Sequence, residues 1–135
     1  EGKVNFAKGF PYQFKDFVGK TSLLDLTTVL SQVDMLITNE TSAVHIGVMM
    51  EIPNIYVLYN GIHFGRFVPY PKEVYKKLHL ICCPEIEKSA EQYKLVSNQR
   101  QAHIIHDIKG ISVDKVKNLI RKQFKENSRI LEAER

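Results

Sequence analysis

The stretch MLITNETSAVHIGVMMEIPNIYVLY, residues 35–59, decides the fold class of this 135-residue chain. Residues 35–38 and 55–59 are short, apolar and partly β-branched runs bounded by turn residues, the pattern of strands fully buried in a sheet. Between them, residues 41–50 are apolar almost all round, as suits a short helix packed on a sheet, and Pro53 bars its continuation. Strand, helix and strand joined by tight connections form a βαβ unit, which winds right-handedly and gives a parallel sheet. Working outward, residues 78–82 (LHLIC) read as another buried strand, and residues 13–18 (QFKDFV) as a further one. Residues 22–33 predict an amphipathic helix, with Leu23, Leu26, Leu30 and Val33 at helical spacing and Val29 beside them. Ser22 and Asp25, three residues apart, form a capping-box pattern at its start. The fold class is therefore α/β, a parallel sheet with flanking helices.

The rest of the chain is more polar. Residues 84–96 suggest a helix with Ile86, Ala90 and Tyr93 on one side, and residues 98–110 an irregular segment. A final helix is expected over residues 112–127. Ser112 caps it, Asp114 suits its positive end, and Val113, Val116, Leu119, Ile120 and Phe124 make its buried stripe. Beyond Asn127 the sequence is highly charged, and either fraying or an exposed extension carrying Ile130 and Leu131 is expected there. No internal repeat or linker divides the chain.

Composition narrows the class further. With 44% hydrophobic and 25% charged residues, 7 Gly and 5 Pro, the chain is neither disordered nor collagen-like, and its apolar runs are too short to cross a bilayer. Residues 1–5 do not read as a secretory signal, and the absence of a starting Met suggests a piece of a longer protein. Adjacent Cys82 and Cys83 cannot build a disulfide framework, so a reducing cytoplasmic setting is expected. Nineteen Lys and Arg against fifteen Asp and Glu give a net charge of +4. That excess suits an anionic small molecule, a membrane surface or nucleic acid without selecting among them.

In open parallel sheets ligands bind beyond the carboxyl ends of the strands, so the loops there are the candidates for chemistry. Residues 18–22 (VGKTS) form a glycine turn into a helix amino terminus. The turn is either an anion site using Lys20 or a capped helix start with a solvated lysine. It lacks the spaced glycines of a P-loop. Residues 38–45 (TNETSAVH) carry more hydrogen-bonding side chains than one cap needs. Glu40 is placed to grip sugar hydroxyls, and His45, one turn inside the helix, is either a ligand contact or a satisfied core residue. Residues 60–71 (NGIHFGRFVPYP) are long for a strand-to-helix connection. Gly61 and Gly65 allow close backbone approach, and Arg66 offers a fork for phosphate oxygens. Phe64, Phe67 and Tyr70 either stack on a base or pack the loop onto the domain.

Other constellations point less clearly to chemistry. His79, Cys82, Cys83, His103 and His106 are residue types that zinc accepts, but His79 and Cys82 face opposite sides if they share a strand, and no metal site is expected. Nothing pairs either cysteine with a base. Lys115, Lys117, Arg121, Lys122 and Lys125 are most simply the solvated face of the last helix, with nucleic-acid or anionic-lipid contact as the lesser alternative, and nucleic acid is not expected as a partner.

Residues 19–48, GKTSLLDLTTVLSQVDMLITNETSAVHIGV, resemble the family 9 glycosyltransferases, the heptosyltransferase group that builds the lipopolysaccharide core. That family has Gly-Lys-Thr-Ser-Leu, a helix, a strand and then Asn-Asp-[Ser/Thr]-[Gly/Ala/Ser]-x-x-His. Residues 60–71 are similar to the Gly-x-His-[Phe/Tyr]-Gly-Arg-Phe-x-Pro-Tyr-Pro loop of one branch. The resemblance implies the latter part of the carboxyl-terminal, Rossmann-like domain of a GT-B enzyme, with the amino-terminal domain as its absent partner. By the same resemblance Glu40 matches an aspartate near the donor sugar, Thr41 and Ser42 match residues that bring helix N–H groups to the diphosphate, and His45 matches the family histidine. Thr21 falls where the nucleotide pocket is lined. Glu40 is one methylene longer than the family's aspartate, and Ser42 replaces its commonest glycine.

The chemistry implied is an inverting transfer from a nucleoside-diphosphate sugar to a lipid-linked glycan acceptor, without metal or cofactor. Arg66 and Lys20 would stabilise the departing diphosphate and Glu40 would orient the sugar. No catalytic residue is assigned within this chain. It is expected to be cytoplasmic, peripheral at the inner face of a bacterial inner membrane, and inactive by itself. It is also expected to dimerise or aggregate through an exposed sheet edge and face unless other chains cover them. The alternative is a non-catalytic nucleotide-binding or interaction module of the same fold.

Overall fold

The structure, a computed structural model, describes residues 12–61, 70, 71, 73, 77–88 and 107–133, with side chains of the last helix to residue 125. Its centre is a parallel sheet of β1 (Leu36–Asn39), β2 (Ile55–Tyr59) and β3 (Leu78–Cys82) in the order β1-β2-β3. Register pairs Ile37 with Tyr56 and Tyr56 with His79. The helices are α1 (Leu23–Leu30), α2 (Ser42–Met49), α3 (Pro84–Lys88) and α4 (Val113–Ala133), with a 3-10 turn at Ile108–Gly110. The α/β class expected from the sequence is the class observed.

Strand β2 has both edges paired and four of its five residues buried, which is why it reads as a continuous apolar run. Strand β1 starts one residue later than expected. It is not fully buried, because among the described residues only β2 pairs with it, and Ile37 stays 48% exposed.

Helix α2 lies on the face that carries Leu36 and Ile55, and Gly47 makes that closeness possible. A Cβ at Gly47 would come within 2.8 Å of Leu36 Cδ2 and 3.0 Å of Ile55 Cδ1. On the opposite face the imidazole of His79 stacks on Tyr56, ring centroids 4.8 Å apart. Burial lowers the pKa of His79 and holds it neutral, so it serves the core.

The capping box at Ser22 is present. Ser22 Oγ accepts from the Asp25 N–H at 3.2 Å, and the Asp25 carboxylate accepts from the Ser22 N–H at 2.9 Å. The helix ends at Leu30 rather than Val33, and Leu23 is exposed, leaving Leu30 as the buried anchor. Residues 13–18 are not a strand. The Asp16 side chain accepts from the Val18 N–H at 3.0 Å and Lys20 N–H reaches the Phe17 carbonyl, so a turn claims backbone groups that a ladder needs. Every residue of that segment is exposed.

Later elements differ from expectation in several places. Helix α3 covers Pro84–Lys88 with Ile86 buried, while Ala90 and Tyr93 lie outside the described residues. The 3-10 turn brings order to 108–110, within a stretch read as irregular. Helix α4 does not fray after Asn127 but runs to Ala133, through a stretch containing the good helix formers Glu, Arg, Leu and Ala. Of its expected stripe only Val116 and Ile120 pack on the core, whereas Val113, Leu119 and Phe124 are exposed. The first two lie four residues apart on one line, and Leu119 is about 100° round the helix from Ile120. Lys115 is not part of a solvated face. Its ammonium donates to the Cys82 carbonyl at 2.9 Å and pairs with Glu87, tying α4 to the end of β3. Among the described residues no helix is long and apolar enough to cross a membrane.

Helix α2 closes with a Schellman pattern, in which Ile52 N–H reaches the Gly47 carbonyl and Glu51 N–H the Val48 carbonyl. This requires a left-handed residue after the cap, and Glu51 supplies it at φ 54°. A side chain there is strained and glycine is not. Glu51→Gly is expected to raise the unfolding free energy by about 0.5 to 1 kcal/mol, read as a higher urea midpoint. A lower midpoint would contradict this account of the helix end.

Candidate functional site

The carboxyl ends of the three parallel strands share one edge of the sheet, and α2 begins there. Thr41 is its N-cap, with extended backbone (φ −144°, ψ 179°), yet its hydroxyl makes no capping hydrogen bond. Val44 N–H bonds back to the Thr41 carbonyl, and among the described residues the N–H groups of Ser42 and Ala43 meet no acceptor, at the positive end of an eight-residue helix. The side chains of Thr41 and Ser42 are exposed. The arrangement suits a negatively charged oxygen.

Glu40 sits just before that cap and is half-buried, and burial raises its carboxyl pKa above the ordinary 4.5. Its neighbour at the edge is Tyr59, wholly buried at the end of β2. The phenol pKa is driven far up by burial first, then by the negative charges of Glu40 and Cys82. Tyr59 therefore stays protonated and forms an apolar floor with a polar tip beside the carboxylate. Cys82, its register partner on β3, has its thiol pushed up to about 11 by burial and by Glu87, with Lys115 acting the other way. Burial likewise raises the Cys83 thiol. Neither thiol ionises near neutral pH, which removes both as activated nucleophiles.

His45, one turn into α2, is half-buried, and its Nδ1 lies 2.6 Å from Tyr70 Oη, the rings meeting edge-on at 5.9 Å. This contact joins the helix to the far end of the 60–71 loop, so Tyr70 packs the loop onto the domain. Arg66, with Phe64 and Phe67, lies outside the described residues.

The first loop has a different character. The capping box occupies the start of α1, and Lys20 is turned back onto Asp16, donating to its carboxylate at 2.9 Å and its carbonyl at 3.1 Å. Thr21 is half-buried beside it. Helix α1 returns the chain to the start of β1, which directs its amino end toward the carboxyl edge of the sheet. The structure thus brings together Glu40, Thr41, Ser42 and His45, with Lys20 and Thr21 in a separate, already hydrogen-bonded turn. Tyr59 and Tyr70 stand beside these residues, Tyr59 with no site role in the sequence reading and Tyr70 read there only as stacking on a base or packing its loop, not as a partner of His45. Tyr59 looked like one more apolar strand residue, and the bond from Tyr70 spans 25 positions.

Among the described residues the zinc-type side chains form no cluster. His79 is stacked in the core, His103 and His106 lie outside the described residues, and among the described residues no group of three or more His, Cys, Asp or Glu could hold a metal ion.

The raised pKa of Glu40 has a definite sign for stability. The folded chain binds this proton more tightly than the unfolded one, so stability falls as pH rises from 4.5 through the folded pKa and is level beyond it. Glu40→Gln lacks that titration. Its advantage over the parent is expected to grow across this window in urea unfolding, and parallel pH profiles would contradict the burial of the carboxylate.

In comparison with known proteins, no family model matches the chain, and neither a curated protein nor a solved structure matches it.

Proposed function

We propose that the chain forms part of the donor site of a glycosyltransferase similar to family 9, holding a nucleoside-diphosphate sugar at the carboxyl edge of the sheet. The observation that carries this reading is the start of α2 without a side-chain cap, where the Ser42 and Ala43 N–H groups meet no acceptor among the described residues, beside the half-buried carboxylate of Glu40. N–H donors at a helix terminus favour a diphosphate, and a carboxylate favours hydroxyls that donate to it. A nucleoside-diphosphate sugar carries both groups a few ångströms apart.

In the proposed reaction an acceptor hydroxyl attacks the anomeric carbon from the face opposite the diphosphate. The C–O bond to the diphosphate breaks, its electron pair leaves with the nucleoside diphosphate, and the configuration inverts. Negative charge then grows on the diphosphate oxygens, where the α2 dipole and N–H groups stabilise it in place. Arg66 is the cation proposed for the same oxygens. Lys20 would have to exchange Asp16 for phosphate to contribute. Glu40 orients the sugar and is not the base that activates the acceptor. That base, the lipid-linked acceptor and a cytoplasmic, membrane-peripheral setting belong to the whole enzyme of this proposal.

Calorimetric titration with ADP-glucose, GDP-mannose and UDP-glucose, each beside its bare nucleoside diphosphate, tests the assignment. Arg66→Ala is expected to weaken nucleotide and nucleotide sugar alike by about tenfold or more. Glu40→Ala is expected to weaken only the nucleotide sugar, by about threefold to tenfold. Unchanged affinity in both variants, or no heat with any of these ligands, would contradict the reading.

A further inference from the structure

We draw no further inference here: the strongest candidate, the stacked Tyr56 and His79 side chains on the sheet face opposite α2, whose buried Oη and Nε2 atoms meet no hydrogen-bond partner among the described residues, carries nothing because nothing in the structure shows what covers that face.

Discussion

Everything at the candidate site depends on how closely α2 approaches the sheet. Gly47 favours that approach, because a methyl group there would press on the side-chain ends of Leu36 and Ile55, which would have to shift. With the helix seated on β1 and β2, a two-residue connection suffices between Asn39 and Ser42, and the first turn of α2 must stand at the carboxyl edge. Glu40 is then half-buried beside Tyr59, and His45 comes within reach of Tyr70. One close packing contact thus sets the place of a helix dipole, a carboxylate and an imidazole together.

The two helix starts on this side of the molecule show opposite treatments of the same problem. At α1 the capping box satisfies donors locally, and Asp16 neutralises Lys20. At α2 the N-cap hydroxyl makes no such bond, and the local charge is a carboxylate that burial makes harder to ionise. Among the described residues, one helix start is thus sealed by a capping box and the other has no side-chain cap. The surrounding groups are stiff, because Tyr59 is packed on all sides and Tyr70 holds the imidazole from outside the helix.

Local chemistry made much of this legible in the sequence. Strands β2 and β3 were found at their observed bounds because apolar runs between turn residues have few other uses, and the Ser22 and Asp25 pair announced its capping box. Where reading failed, a competing interaction won. Asp16 turned the QFKDFV segment into an Asx-type turn, and Lys115 left the solvent for the end of β3. The exposed margins of α4 could not be foreseen, since periodicity defines a stripe but not how much of it finds a partner. At the site, Glu40, Thr41, Ser42 and His45 were legible because they are contiguous. Tyr70 was not assigned to His45, because only the tertiary fold brings the two together.

The central claim is that an anion binds the uncapped start of α2. Backbone amide chemical shifts during titration with inorganic pyrophosphate test it most directly, because they report on the N–H groups themselves. The account predicts that the largest shifts fall on Ser42 and Ala43, with smaller ones at Glu40 and His45 and none at the capped start of α1. Shifts centred on the lysines and arginines of α4, with the α2 amides unmoved, would contradict it.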